Sequence, residues 1–127
     1  MNNPDLVSAE LANIIANLAL SKKAEDIKIL DIRKITSMTD FFIICSADTD
    51  IQVKAIADTV RKGTDFKPWH TEGYQQLSWV LLDYVDVIIH IFKTETRGFY
   101  ELERLWADAP MQEISDESQD ILNPATE

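Results

Sequence analysis

A run of five consecutive apolar residues, Phe41 to Cys45, is the feature that most restricts how this chain can fold. A strand with one face in water alternates apolar and polar residues, whereas this run contains no polar position. We therefore expect a strand that is buried on both faces and lies at the centre of a sheet.

Periodic patterns on either side of this run predict the other elements. Apolar residues at helical spacing (Val7, Leu11, Ile14, Ile15 and Leu18) predict an amphipathic helix from Pro4 to Leu20. The remaining predictions are a strand over Asp26–Ile32, a helix over Asp50–Lys62 capped by Asp48 or Thr49 and stopped by Gly63, an edge strand over Phe66–His70, an antiparallel hairpin of Leu77–Tyr84 and Val87–Phe92, and a helix over Thr94–Trp106. The predicted fold class is α/β, with residues 1–106 forming a single domain whose mixed sheet of about five strands is packed with helices.

The C-terminal segment has a different composition. Residues 107–127 contain six acidic residues, no Lys or Arg, two prolines and few apolar residues. We expect this segment to form an acidic, disordered tail. The chain as a whole carries a net charge of −10, and removing the six acids of the tail leaves −4 for the body.

Charge and composition limit the class of partner. An acidic surface is repelled by the phosphates that dominate nucleic-acid affinity, so direct nucleic-acid binding is not expected as the main contact. No apolar run approaches the roughly 18 residues that a membrane-spanning helix needs. The N-terminus does not resemble a secretory signal, and the single cysteine, Cys45, is typical of a reducing compartment, so the predicted location is cytoplasmic.

Candidate catalytic groups are few. Cys45 and His90 could form a thiol–imidazole pair, but both fall inside predicted strands, where a thiol would be buried and inert. Asp48 and Asp50 could hold Mg²⁺ with one further carboxylate, although helix capping explains the same residues. The three glycines match no phosphate-binding loop, and the two histidines lack zinc-site spacing, so no metal or other cofactor is predicted.

Aromatic and charged residues are concentrated in the predicted hairpin and last helix. Tryptophan, tyrosine and arginine dominate the energetics of protein interfaces because they combine a large apolar area with a directional polar group. In the first strand of the hairpin, Trp79 and Asp83 share one face and Tyr84 lies on the other. We expect Tyr84 and Asp86 to be exposed at the hairpin tip. The predicted partner-binding residues are Trp79, Asp83, Tyr84, Asp86, Arg97 and Tyr100.

These segments resemble the ribosomal silencing factor family, also called RsfS or Iojap. The matching segments, in family order and at family spacing, are Thr39–Cys45, Gln52–Asp58, Glu72–Gly73, Trp79–Tyr84, Asp86–Phe92 and Arg97–Trp106. Three positions depart from the family pattern. Val85 stands where glycine is usual, and Ala47 and Ile51 replace a common glycine and a polar or basic residue, which puts the local loop geometry in question.

The resemblance implies a fold like that of nucleotidyltransferases but without the catalytic site. It also implies a function: binding to the large ribosomal subunit at ribosomal protein fourteen, which blocks joining with the small subunit and represses translation when nutrients are limiting. Two alternatives stay open at this point. One is a metal-dependent nucleotidyltransferase-like enzyme, and the other is a homodimeric adaptor that self-associates through the surface around Trp79.

Overall fold

The structure, a computed structural model, describes residues 4–100, 104 and 106–115, and it describes no side chains at 4–6, 99 and 100. The helices and strands are α1 (Pro4–Ser21), β1 (Glu25–Asp31), β2 (Phe41–Ala47), α2 (Asp50–Gly63), β3 (His70–Glu72), β4 (Trp79–Asp83), β5 (Val87–Lys93), α3 (Thr94–Tyr100) and β6 (Met111–Ile114). The predicted α/β class is confirmed.

The strands form one mixed sheet in the order β3-β4-β5-β2-β1-β6. All seven residues of β2 are buried, which confirms that the apolar run is an inner strand. Strand β2 is parallel to β5 and antiparallel to β1. The hairpin is confirmed, because β4 and β5 are adjacent and antiparallel.

Helices α1 and α2 cover one face of the sheet, which we call the inner face. Their buried residues join Ile43, Cys45 and Ile89 in the larger apolar core. Helix α1 makes this contact through Ile15 and a series of small residues: Ser8, Ala12, Ala16 and Ala19. Val7 and Ile14 are 45% and 49% exposed, so the packed face is rotated away from the predicted apolar stripe. Small side chains on the buried face allow the helix to lie close to the sheet.

The start of α2 agrees with the capping prediction. Thr49 is the N-cap, and its hydroxyl oxygen accepts a hydrogen bond from the Gln52 amide at 3.2 Å. At the other end, a Cβ on Gly63 would lie 2.5 Å from Cδ2 of Leu18, so a larger residue there would require the Leu18 side chain to shift. In the described part of the chain no helix has the length and apolar character needed to cross a membrane.

Two boundaries differ from the prediction. Strand β6, the sixth strand, falls in the segment expected to be a tail and pairs with β1 from Ile27 to Leu30. The domain therefore extends past residue 106, while residues 116–127 lie outside the described part. The edge strand begins at His70 and not at Phe66. Pro68 has no amide hydrogen, and pairing starts at Trp69, whose amide donates to the carbonyl oxygen of Asp83 at 2.8 Å.

Candidate partner-binding site

The sheet face opposite α1 and α2, which we call the outer face, carries half of the predicted hairpin residues. Because side chains alternate along a strand, Trp79, Leu81 and Asp83 of β4 lie on this face, and all three are half-buried. Ile88 of β5 lies opposite Asp83 and is also half-buried. The outer face therefore presents a partly exposed, mainly apolar surface centred on β4.

An aromatic cluster supports this surface. The Trp79 ring lies 4.8 Å from the Phe92 ring, and its Nε1–H donates a hydrogen bond of 3.0 Å to Nδ1 of His90. His90 also meets the Phe42 ring edge to face at 4.9 Å. Trp106 packs against the other side of this cluster, 5.3 Å from Phe42. The surface around Trp79 thus rests on a packed layer of rings.

Strand geometry separates the candidate thiol–imidazole pair. Cys45 belongs to the inner core, whereas His90 lies on the outer face opposite Ile44. Burial raises the pKa of Cys45 to about 12, and burial lowers the pKa of His90 to about 4. At neutral pH the thiol is protonated and the imidazole is neutral. Because the two side chains lie on opposite faces of the sheet, they cannot act together as nucleophile and base.

Tyr84 is not exposed, contrary to expectation. Its side chain is 3% exposed and points into the inner face, where its hydroxyl group is hydrogen-bonded to Thr64 Oγ1 at 3.0 Å. Phe66 meets its ring at 5.7 Å, and burial raises the pKa of the phenol. The alternation of β4 explains this result, because Tyr84 shares a face with Val80 and Leu82.

The hairpin tip is held by backbone hydrogen bonds. The Asp86 side chain is exposed, as predicted. The main-chain carbonyl oxygen of Asp86 accepts hydrogen bonds from the amides of Asp40 and Phe41 at 3.0 and 3.1 Å. Val85 has a φ of +75°, and its amide donates to Oδ1 of Asp83 at 2.7 Å. Val85 thus has a positive φ, the conformation that glycine favours. The valine that was expected to change the geometry of this loop has not moved the residue out of the positive-φ region.

The two residues predicted in the last helix have different outcomes. Arg97 is 8% exposed, and its guanidinium group donates to Ser46 Oγ at 3.2 Å and to the carbonyl oxygen of Glu25 at 3.4 Å. These contacts tie α3 to β1 and β2. Tyr100 ends α3, and its side chain lies outside the described part of the structure.

The candidate magnesium carboxylates bond to separate protein groups. Asp48 accepts a hydrogen bond of 2.8 Å from Thr94 Oγ1, and Asp50 lies 2.9 Å from Lys93 Nζ. Among the described residues, no group of three or more His, Cys, Asp and Glu side chains could hold a metal ion. The geometry therefore gives no support to the nucleotidyltransferase-like alternative.

A groove beside Trp79 was not anticipated from the sequence. Its volume is about 740 Å³, and Trp79, Leu81, Glu72 and Glu95 are among the residues that line it. None of the described residues that line it is cationic, so this part of the outer face is acidic as well as apolar. Leu81 could have been predicted to line this groove, because it lies two residues after Trp79 in the same strand. The presence of Glu72 and Glu95 in the groove could not, because it depends on where β3 and α3 pack in the fold.

Comparison with known families gives a match over nearly the whole chain. The family described as "Ribosomal silencing factor during starvation" matches residues 5–127. A protein called ribosomal silencing factor RsfS from Halalkalibacterium halodurans is 40% identical over 110 residues, which is 83% of this chain and 92% of the relative. The RsfS of Bacillus subtilis is 37% identical over 82% of this chain and 91% of its own. The chloroplastic protein Iojap of Zea mays is 35% identical over 83% of this chain and 47% of its own.

Solved structures agree in fold. A crystal structure from Chromobacterium violaceum superposes with a TM-score of 0.75 at 30% identity, covering 78% of this chain and 85% of that chain. A second, from Bacillus halodurans, gives a TM-score of 0.73 at 37% identity, covering 84% and 99%. The fold of this chain is thus similar to that of experimentally determined structures.

Proposed function

The chain belongs to the ribosomal silencing factor family, and from that membership we propose that it binds the large ribosomal subunit and prevents that subunit from joining the small one. The family is defined by regulation of the ribosome and not by a catalysed reaction, so the chain is a regulatory factor and not an enzyme. The proposed partner within the large subunit is ribosomal protein fourteen, the proposed result is repression of translation under nutrient limitation, and the proposed location is the cytoplasm.

The observation that carries this proposal is the half-buried Trp79 on the outer face. A tryptophan that rests on a packed layer and keeps part of its surface exposed has the properties of an interface hot spot. The flanking Leu81 and Ile88 extend the apolar area, and Asp83 adds a polar edge. A chain of this size can cover about 800 Å² of a partner, which is enough for specific binding and for steric exclusion of a competitor.

Charge supports a basic ribosomal protein as the partner. The net charge of −10 favours encounter with a basic surface, and the groove beside Trp79 is lined by Glu72 and Glu95. The proposed contact set is therefore Trp79, Leu81 and Asp83, with Asp86 at the rim and Tyr100 retained from the sequence prediction. Tyr84 and Arg97 are buried, and we assign them to supporting the fold around this surface.

The test compares two tryptophans of the same chain. Trp79→Ala should weaken binding to isolated large subunits by about ten-fold or more, the range of an interface hot spot. Trp69→Ala is the matched control. Trp69 is 79% exposed, and it lies just before β3, the edge strand of the sheet, outside the proposed contact set. Binding is measured by co-sedimentation with separated subunits, and subunit joining is followed in the same samples.

Each outcome is informative. Binding of the wild type to the large subunit, with fewer joined ribosomes and a loss specific to Trp79→Ala, supports the proposal. If Trp69→Ala weakens binding and Trp79→Ala does not, the contact surface lies at the β3 edge of the sheet and the site assignment is wrong. If the wild type binds neither subunit, the proposed function is wrong.

Self-association is a second candidate use of the outer face. The partly exposed Trp79, Leu81 and Ile88 could pair with the same residues of a second copy, which would compete with ribosome binding. Light scattering over a concentration series, with the wild type and Trp79→Ala, decides this. A dimer that is lost in Trp79→Ala favours competition, whereas a monomer at all concentrations removes the candidate.

A further inference from the structure

The hydrogen bond between Trp79 and His90 links a proposed contact residue to a buried titratable one. The two residues lie diagonally across β4 and β5 on the outer face, because Trp79 is opposite Phe92 and His90 is opposite Leu81. The indole Nε1–H donates to Nδ1 of His90 at 3.0 Å, and the two rings are 5.8 Å apart.

This bond determines where the imidazole carries its proton. Nδ1 accepts, so it is unprotonated, and the proton of the neutral ring is on Nε2. His90 is 5% exposed, and its Nε2 has no hydrogen-bond partner among the described residues. Burial lowers the pKa of His90 to about 4, which keeps the ring neutral at physiological pH. Histidine at this position therefore leaves one buried donor unsatisfied, which costs stability.

An apolar residue would fill the same space without that cost. The neighbouring rings are those of Phe42 and Phe92, at 4.9 and 6.3 Å from the imidazole, and Ile44 and Leu81 are the adjacent residues on the flanking strands. What histidine provides in this apolar setting, and phenylalanine or leucine does not, is an acceptor at Nδ1 directed at the indole.

We propose that His90 is a positioning residue, whose Nδ1 holds the Trp79 ring in the orientation in which it contacts the partner. This inference rests on the proposed function. A half-buried tryptophan has two side-chain torsions that would otherwise have to be fixed on binding, and fixing a mobile side chain weakens association. Holding the ring before the encounter removes that cost and is expected to strengthen binding about five-fold.

Two amide substitutions separate the acceptor from the ring. In His90→Asn the side-chain oxygen can occupy the position of Nδ1, whereas in His90→Gln it lies one bond further from the backbone. Both variants are polar and uncharged, so they are matched in burial cost. Binding to isolated large subunits should stay within about two-fold of wild type for His90→Asn and fall about five-fold for His90→Gln.

A double-mutant cycle distinguishes positioning from general packing. Trp79→Phe removes the indole donor, so the difference between His90→Asn and His90→Gln should disappear in that background. A second readout uses no ribosome: exchange of the Trp79 indole N–H, followed by NMR, should be slow in the wild type and His90→Asn and faster in His90→Gln.

The inference is overturned if both amide variants bind like the wild type, or if their difference persists with Trp79→Phe. If the wild type itself does not bind the large subunit, the proposed function fails and the inference falls with it. If it binds and the substitutions are additive, only the inference fails.

Discussion

At the scale of single residues, Val85 has the least favourable backbone conformation of the hairpin. Its φ of +75°, together with the hydrogen bond of 2.9 Å from the Asp86 amide to the Tyr84 carbonyl oxygen, defines a γ-turn centred on a β-branched residue. Such turns are rare and strained. The turn persists because Asp83 accepts from the Val85 amide and the Tyr84 amide donates to the Val87 carbonyl oxygen.

Val85→Gly should therefore stabilise the protein by about 1 kcal/mol, because glycine adopts a positive φ without steric cost. The Val85 side chain is 54% exposed, so little apolar burial is lost. The free energy of unfolding in urea is the measurement, and Val85→Ala is the control, since it retains a Cβ. A less stable Val85→Gly protein would show that the turn is not strained.

His90 makes the stability of the protein depend on pH. Its pKa is about 4 in the folded protein and 6.5 as the reference value, so below pH 6.5 the unfolded chain binds more protons than the folded one. The contribution of the neutral His90 to the free energy of unfolding is complete above pH 6.5 and is lost as the pH falls toward 4. We expect the wild type to lose about 2 kcal/mol between pH 7 and pH 5 from this group alone.

The measurement compares the wild type with His90→Gln by urea unfolding at both pH values. Carboxylates titrate in both proteins and largely cancel in the difference. An equal loss of stability in the two proteins would mean that His90 is not held neutral by burial.

At the scale of elements, α3 is fixed to the sheet by Arg97. Its guanidinium group bonds to Ser46 Oγ in β2 and to the Glu25 carbonyl oxygen in β1, 72 residues before Arg97 in the chain. This explains why a residue type common in interfaces is 8% exposed here. Sequence reasoning recognised the arginine but could not identify these acceptors, because they come from two distant strands.

Arg97→Met should lower the free energy of unfolding by about 2 kcal/mol, since it removes buried hydrogen bonds that involve a charged group. Glu95→Gln on the same helix is the control for stability only, because Glu95 is exposed but lines the groove beside Trp79. The measurement is chemical denaturation of both variants, together with ribosome co-sedimentation. If Arg97→Met is as stable as the wild type but binds more weakly, the original assignment of Arg97 to the interface is correct.

At the scale of the whole molecule, the two faces of the sheet are covered to different extents. The inner face is closed by α1 and α2, while the outer face keeps Trp79, Leu81 and Ile88 half-buried. Strand β6 completes the sheet beside β1, and Ile114 packs against the inner core. Part of the segment expected to be a tail therefore belongs to the folded body.

A chain that ends at Pro110 should be less stable than one that ends at Ser115 by roughly 2 kcal/mol, because it loses the β6 pairing and the burial of Ile114. The shorter chain also exposes the edge of β1 and should self-associate more readily. Thermal unfolding and light scattering of the two chains provide the comparison. Equal stability of both would show that β6 contributes nothing to the fold.

The sequence by itself determined the local structure. The apolar run predicts β2, the helical spacing predicts α1, the short link between two apolar segments predicts the β4–β5 hairpin, and alternation places Trp79 and Tyr84 on opposite faces. These features depend on neighbouring residues and on the two periodicities of the backbone, which can be recognised in any sequence. The family resemblance, carried by ordered segments over most of the body, was also present in the sequence and is confirmed.

Only the tertiary structure decided which face is covered. The alternation of side chains along a strand predicts that Tyr84 and Trp79 point to opposite faces of the sheet. Tyr84 is buried because α1 and α2 pack on its face, and Trp79 stays half-buried because they do not cover the other face. The same holds for β6, whose four residues have no distinctive pattern and form a strand because β1 offers an unpaired edge. Burial and edge pairing arise from contacts between segments far apart in the chain, and a local pattern carries no information about those contacts.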